Sequence, residues 1–154
     1  MALARRSGVS APESLHSDDR DGWLNLLLAE RVEPHLGHDR PTFVFDYPAS
    51  QAALARVRGA GPTSVAERFE LYVDGIELCN GYHELTDAAE LVTRIHREAS
   101  TSEKQIPEPT RLLAAMESGL PACAGVALGF DRLLMLCLGH DSVRQIIPFS
   151  FETA

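Results

Sequence analysis

The sequence lacks the features that mark several common classes of protein. Its 154 residues contain only three cysteines and no C-x-x-C pair, which fits reduced, buried thiols and argues against a disulfide framework or a zinc site. There is no excess of positive charge, because 14 Lys and Arg stand against 22 Asp and Glu, for a net charge of −8. A broad nucleic-acid-binding surface is therefore not expected.

Long apolar runs and several familiar active-site motifs are also missing. No stretch reaches the roughly eighteen apolar residues of a membrane span, and the N-terminus lacks the apolar core of a signal peptide. We therefore expect a cytoplasmic protein without membrane contact. No Walker A loop, G-x-G-x-x-G, G-x-S-x-G or H-E-x-x-H occurs, which argues against the common nucleotide-binding and hydrolase folds.

The overall composition of the chain predicts one globular domain. With 45% hydrophobic and 23% charged residues, the chain has enough apolar surface for a core. We expect residues 1–16 to be a loose lead-in and residues 17–154 to form the domain. Residues 17–19 supply the chemistry of a helix start, residues 41–47 predict a short buried strand, and residues 49–63 predict a mobile loop.

The clearest local signal is a β-hairpin over residues 66–82. Polar and apolar residues alternate on both sides of Asp74-Gly75, which is a favoured two-residue turn. One face is expected to be apolar and to pack on a core, and the other to form a charged floor. The apolar face consists of Phe69, Leu71, Val73, Ile76 and Leu78, and the charged face of Arg68, Glu70, Tyr72 and Glu77.

The later segments add helices and predict an α+β fold, with an antiparallel sheet flanked by helices. Asp87 and Glu90 resemble a capping box that opens one helix. Thr110 is predicted to cap a second helix, which ends at Gly119. Residues 125–129 predict a strand of small residues that leads directly into a third helix.

This strand–helix junction is the first candidate site. Glycine within a strand often marks the close approach of a ligand or of another backbone, and the first helical turn holds Asp131 and Arg132. A helix N-terminus beside a guanidinium favours an anion such as phosphate. The alternative is a tightly packed junction whose Arg132 pairs with a surface carboxylate.

Glu77 and Glu84 form the second candidate site. On an unbroken strand, residues seven positions apart face opposite ways. Asn80-Gly81 lies between them and suits a bulge, which would let both carboxylates converge on a divalent cation. The alternative is a pair of ordinary solvated acids.

Together, these segments resemble the class II lysyl-tRNA synthetases. Residues 66–72 (AERFELY) and 75–87 (GIELCNGYHELTD) resemble the amino-acid and magnesium site of that family. Residues 125–133 (GVALGFDRL) resemble its motif 3, and residues 43–51 (FVFDYPASQ) its strand and substrate loop. The resemblance implies the C-terminal part of the class II catalytic fold.

Details within the group favour the elongation factor P lysine ligases. Residues 48–55 (PASQAALA) and the closing residues 146–151 (IIPFSF) resemble these enzymes. Ala127 stands where lysyl-tRNA synthetases typically place Gly. A methyl group there is consistent with the preference of that family for β-lysine.

The resemblance implies ATP-dependent activation of lysine or β-lysine to an aminoacyl-adenylate, followed by transfer to a lysine of elongation factor P. The alternatives are a lysyl-tRNA synthetase fragment that acts on tRNA-Lys and a non-catalytic ATP-binding paralogue. The implied cofactors are ATP and Mg²⁺. The implied catalytic residues are Glu77, Glu84 and Arg132, the ATP-binding residues are Glu77, Leu78, Gly129 and Arg132, the substrate-binding residues are Asn80, Glu84 and Ala127, and the magnesium ligands are Glu77 and Glu84.

The chain departs from the family upstream of these motifs. Nothing in residues 1–40 resembles motif 1, which makes much of the homodimer interface of the full-length family, or motif 2, whose Arg binds the α-phosphate and the substrate carboxylate. We therefore expect an excised domain, a truncated reading frame or a degenerate paralogue. On its own it is predicted to have weak or no activation activity, and to expose apolar sheet edges through which copies self-associate.

Overall fold

The computed structural model describes residues 8–101 and 107–149, which form an α+β fold, as predicted. The helices are α1 (Arg20–Leu27), α2 (Ala88–Thr101), α3 (Thr110–Glu117) and α4 (Phe130–Cys137). The strands are β1 (Thr42–Pro48), β2 (Val57–Arg58), β3 (Val65–Val73), β4 (Ile76–His83) and β5 (Ala124–Leu128). Throughout this described part of the chain, no helix has the length and apolar character needed to cross a membrane.

The five strands form one antiparallel sheet in the order β1-β3-β4-β5, and β2 also pairs with β3. Val57 lies opposite Ala66 in this second pairing, and Arg58 lies opposite Val65. The order follows from the hairpin, since the tight turn makes β3 and β4 neighbours and leaves one side of each for another strand.

The chain divides into two compact units. The first comprises Met1–Phe45, Phe69–Asn80 and Val126–Ala154, and the second comprises Asp46–Arg68 and Gly81–Gly125. Of the predicted lead-in, residues 1–7 lie outside the described residues, and residues 8–16 contain no helix or strand. The domain boundary at residue 17 stays a prediction.

The hairpin turn of the first unit is confirmed. Asp74 and Gly75 have φ angles of 49° and 74°, which is the left-handed backbone that a two-residue turn between twisted strands requires. The backbone N–H of Gly75 donates to the carbonyl of Leu36 at 2.7 Å, and that of Asp74 donates to the carbonyl of Gly37 at 3.1 Å. The segment that contains Leu36 and Gly37 therefore holds the hairpin turn in place.

The predicted assignment of the hairpin faces is wrong for β3, although Leu78 of β4 is buried as predicted. Tyr72 and Glu70, placed on the charged floor, are only 1% and 6% exposed, whereas Phe69, Leu71 and Val73 are half-buried. Burial of Glu70 is possible because the Tyr72 hydroxyl donates a hydrogen bond to its carboxylate, and a buried charge requires such partners. The face of β3 that contains Glu70 and Tyr72 is therefore the more buried one, although the alternation of polar and apolar residues predicted the opposite face.

The strand predicted over residues 41–47 exists, but the expectation that it is buried is wrong over much of its length. Phe43 is 55% exposed and Phe45 is 68% exposed. At the opposite end of the strand order, Val126 and Leu128 of β5 are also exposed. Both strands are at the ends of the described sheet, so apolar edges are exposed, as predicted.

In the second unit, the segment predicted as a mobile loop over residues 49–63 has regular elements that the prediction lacked, and its mobility stays a prediction. The segment contains two short 3₁₀ turns and β2, and both Ala52 and Ala55 are buried. Arg94 of α2 holds it, because its Nη1 donates to the carbonyls of Ala53 and Ala55, each at 2.8 Å. A long-range side chain thus orders a segment whose own composition is typical of a loop.

Two of the predicted helix starts are confirmed and one is wrong. Asp19 caps α1 by accepting from Gly22 N at 2.8 Å, and Asp87 caps α2 by accepting from the first backbone N–H groups of that helix. Glu90 does not complete a capping box, since its carboxylate pairs with Arg94. The predicted cap Thr110 is the first helical residue of α3.

All three cysteines are free thiols, as expected. Their predicted burial holds for Cys79 alone, because Cys123 is half-buried and Cys137 is exposed.

Candidate functional site

The strand–helix junction of the first unit brings Arg132 and Glu77 together across 55 positions of sequence. Nη1 of Arg132, in the first turn of α4, donates to the backbone carbonyl of Glu77 at 2.8 Å and lies 3.3 Å from its Oε2. The side chains are 49% and 34% exposed, so the pair adds little to stability. Its main effect is to hold a guanidinium beside the N-terminus of a helix.

Gly129 and Leu78 complete this junction. The backbone N–H of Gly129 donates to the carbonyl of Leu78 at 2.8 Å, and Gly129 occupies the N-cap of α4 without a side-chain cap. The first N–H groups of α4 therefore keep the partial positive charge that favours an anion. The four residues predicted to bind ATP, which we call the junction cluster, lie together: Glu77, Leu78, Gly129 and Arg132.

The alternative for this segment was an arginine paired with a surface carboxylate. Arg132 does pair with a partly exposed carboxylate. That carboxylate belongs to Glu77, which is itself a predicted site residue.

Asn80 lies near the end of the hairpin portion of the first unit and contacts a residue that the sequence reasoning missed. Its Nδ2 donates to Glu70 Oε1 at 3.0 Å, and the hydroxyl of Tyr72 donates to Glu70 Oε2 at 2.6 Å. The other amide atom, Asn80 Oδ1, is buried and has no hydrogen-bond partner among the described residues. The signal in the sequence that could have identified Glu70 is the alternation along the hairpin strands, which places Glu70 on the same face as Glu77.

Glu84 belongs to the second unit. Its backbone N–H donates to the carbonyl of Cys123 at 3.0 Å, and it forms a β-bridge with Ala55. A Cβ atom added at Gly125 would lie 2.2 Å from Glu84 Oε1. The group that closely approaches this glycine is therefore a side-chain carboxylate, whereas the sequence predicted a ligand or another backbone.

The carboxylate of Glu84 is half-buried. Residues 8–101 and 107–149 provide no hydrogen bond or ion pair to it. Its negative charge therefore remains available to a cation, which is the property that a metal ligand or an amine-binding residue requires.

Magnesium binding and the role of Ala127 stay predictions. Carboxylate oxygens are donors that Mg²⁺ accepts, and one or two of them together with phosphate oxygens and water are enough. No group of three or more His, Cys, Asp or Glu side chains suited to a metal occurs within the described parts of the chain. Ala127 lies exposed on β5.

An antiparallel α+β sheet whose last strand runs into a helix carrying a positioned arginine is the arrangement expected of a class II synthetase. Residues 28–153 match the family described as tRNA synthetases class II (D, K and N). The match covers most of the chain, and the chain belongs to this family.

Three similar relatives are bacterial proteins that share one name, elongation factor P--(R)-beta-lysine ligase. The protein of Klebsiella pneumoniae (strain 342) is 50% identical over 141 residues, which cover 89% of this chain and 43% of the relative. That of Salmonella gallinarum is 49% identical over the same coverage. That of Vibrio cholerae serotype O1 is 47% identical over 152 residues, covering 96% of this chain and 45% of the relative.

The predicted resemblance to this group is confirmed. The chain spans less than half the length of these relatives.

Proposed function

We propose that this chain is part of an ATP-dependent ligase that activates lysine or β-lysine as an aminoacyl-adenylate and transfers it to a lysine side chain of elongation factor P. The observation that carries the proposal is the junction cluster, in which Arg132 is held on Glu77 at a helix N-terminus. The names of the similar relatives support the choice of β-lysine and elongation factor P.

The junction cluster suits the nucleotide. Arg132 uses one nitrogen, Nη1, for its contacts with Glu77, and the planar guanidinium has further N–H groups for a terminal phosphate. We assign Leu78 and Gly129 to contacts with the nucleotide, with Gly129 against the adenine. The absence of a side chain at Gly129 leaves room for a flat base.

Asn80, Glu84 and Ala127 are assigned to the amino acid. An ammonium group has three donors and no acceptor, so it requires an acceptor such as the unpaired carboxylate of Glu84. The methyl group of Ala127 limits the space for the substrate backbone and is proposed to favour β-lysine.

The chemistry is a substitution at phosphorus followed by acyl transfer. A carboxylate oxygen of the amino acid bonds to the α-phosphorus of ATP and pyrophosphate leaves. The acceptor amine then bonds to the carbonyl carbon, and AMP leaves as the amine loses a proton. The chain contributes by orientation and by compensating charge, without a covalent enzyme intermediate.

Glu77 and Glu84 are the proposed magnesium ligands. Their carboxylates fit the preference of this ion for oxygen donors. Bound Mg²⁺ would offset the negative charge of the phosphates.

The nucleotide assignment is tested by calorimetric titration of the full chain with ATP and magnesium. Arg132→Ala is expected to weaken binding by about 10- to 100-fold, the range for hydrogen bonds to a charged group. Arg111→Ala, at an exposed arginine of α3, is the matched control and is expected to bind as the unaltered chain does. Equal affinity in both variants, or no binding by the unaltered chain, would refute the assignment.

The activation step and the identity of the acceptor are tested in separate experiments. Amino-acid-dependent pyrophosphate exchange by this chain is expected to be weak or absent, and exchange at a normal enzymatic rate would contradict that expectation. With a full-length enzyme that contains this chain, labelled β-lysine that appears on elongation factor P supports the proposal. Label on tRNA-Lys instead supports the synthetase alternative.

A further inference from the structure

Arg94 of α2 holds a segment that contains none of the proposed site residues. Its Nη1 donates to the carbonyls of Ala53 and Ala55, each at 2.8 Å, and its Nε donates to Oε1 of Glu90 at 3.0 Å. The arginine side chain is only 16% exposed. We call these contacts the Arg94 clasp, and none of its residues is assigned to ATP, magnesium or the amino acid.

The clasp depends on the planar shape of the guanidinium group. Nε of Arg94 bonds to Glu90 while the two hydrogens of Nη1 serve one carbonyl each. A lysine ammonium is a compact charge without this fork, so lysine is not a conservative replacement here.

One of the two carbonyls belongs to a backbone conformation that alanine rarely adopts. Ala53 has a φ of 47°, in the left-handed region that favours glycine, and such a conformation persists only where the surroundings impose it. The hydrogen bond from Arg94 to the Ala53 carbonyl is one such contact. The clasp therefore stabilises a path of the backbone that the segment does not favour by itself.

The segment held by the clasp is the backbone neighbour of Glu84. Ala55 is fully buried and forms an antiparallel bridge with Glu84. The N–H of Leu85 donates to the carbonyl of Leu54, and the N–H of Arg56 donates to the carbonyl of the residue before Glu84, each at 2.8 Å. Hydrogen bonds on both sides of Glu84 thus join it to this segment.

Glu84 depends on this neighbour because the hairpin ends before it. The last residue of β4 is His83, and the other backbone contact of Glu84 is the hydrogen bond from its N–H to the carbonyl of Cys123. Its carboxylate receives no hydrogen bond or ion pair from the described residues. The direction of the carboxylate therefore follows from the placement of the backbone.

We infer that Arg94 is a positioning residue for the amino acid, which acts through the carbonyls of Ala53 and Ala55 to fix the backbone of Glu84. The inference rests on the proposed function, because that function assigns Glu84 to the substrate ammonium group. Arg94 itself needs no contact with the substrate.

Arg94→Lys keeps the charge and removes the fork. Calorimetry with lysine alone, without nucleotide or metal, is expected to show an affinity about 10-fold lower, the lower end of the range for a hydrogen bond to a charged group. Affinity for ATP without magnesium should stay unchanged. Arg111→Lys, at an exposed arginine of α3, is the matched control and should leave both affinities unchanged.

A double-mutant cycle with Glu84→Gln separates positioning from a general structural role. If Arg94 acts through Glu84, Arg94→Lys should cause no further loss of lysine affinity in a chain that already contains Glu84→Gln. A loss of stability that spreads through the fold would instead add to the effect of Glu84→Gln.

A second variant and a second measurement test the path of the effect. Glu90→Gln weakens the clasp at a half-exposed partner and should lower lysine affinity by a smaller factor than Arg94→Lys. Site-resolved amide hydrogen exchange should be faster at Leu85 and Arg56 in Arg94→Lys. Urea denaturation identifies any variant that fails to fold, and Glu90→Gln then decides the matter.

The outcomes separate this inference from the proposed function. Unchanged lysine affinity, additive losses in the cycle, or equal losses of lysine and ATP affinity would each overturn the inference alone. If the unaltered chain binds ATP and not lysine, the amino-acid assignments and the inference both fail. If it binds neither ligand, the proposed function fails as well.

Discussion

Addition of one methyl group at Gly125 should displace the carboxylate of Glu84. The backbone of Gly125 is ordinary strand, so alanine introduces no conformational strain. Its Cβ would nevertheless lie 2.2 Å from Glu84 Oε1, and ordinary contact needs roughly 3.5 Å. The oxygen must therefore move by about 1 Å.

Gly125→Ala is expected to weaken the binding of lysine and to leave the stability of the fold nearly unchanged. The obstructing atom is the far end of a flexible, half-buried side chain, so Gly125→Ala should change the free energy of unfolding by less than about 1 kcal/mol. Loss of a hydrogen bond between the Glu84 carboxylate and the substrate ammonium group costs about 1.5–3 kcal/mol, which corresponds to roughly 10- to 100-fold in affinity. We therefore expect lysine affinity to fall by up to about 100-fold, with the protein still folded.

A double-mutant cycle with Glu84→Gln tests whether the effect passes through this carboxylate. Calorimetry with lysine in the presence of ATP and magnesium gives the affinities, and urea denaturation gives the stabilities. The double variant should bind no more weakly than Glu84→Gln alone. Additive losses, unchanged affinity in Gly125→Ala, or a destabilisation of several kcal/mol would each refute the reasoning.

Two further predictions concern substrate choice and stability. Ala127→Gly removes the methyl group assigned to β-lysine preference, so the affinity ratio of lysine to β-lysine should rise by about 10-fold, and an unchanged ratio in competition binding would contradict this. Gly37→Ala should lower the free energy of unfolding by about 3 kcal/mol. Gly37 has a φ of 79°, and the Cβ atom of an alanine there would lie 2.5 Å from the Tyr72 carbonyl oxygen. The control Gly119→Ala, with a φ of 98° and open space around it, should cost only about 1–2 kcal/mol. Equal losses in urea denaturation would show that the backbone contact is unimportant.

The local elements were predictable because their causes are local. Asp74-Gly75 tolerates the left-handed backbone of a hairpin turn, and the carboxylates of Asp19 and Asp87 satisfy the first N–H groups of the following helices. The strand before α4 was predicted from residues 125–129 in the same way. Each of these features depends on residues within a few positions of one another.

Burial was predicted less well, because it depends on what covers a strand. The aromatic residues of β1 suggested a core strand, but Phe43 and Phe45 are exposed at one end of the described sheet. Conversely, the alternation of β3 placed Tyr72 on a charged surface, although this residue is only 1% exposed. Hydropathy along one strand contains no information about the neighbours that pack on it.

The sequence by itself determined the α+β elements, the hairpin and the family, since these are encoded in short stretches with specific chemistry. Only the tertiary structure decided which of the charged residues have partners. Arg132 meets Glu77 across 55 positions, the carboxylate of Glu84 lies where a side chain of Gly125 would be, and Glu70 is buried between Tyr72 and Asn80. Such contacts depend on strand pairing and chain direction over long separations, which no local pattern specifies.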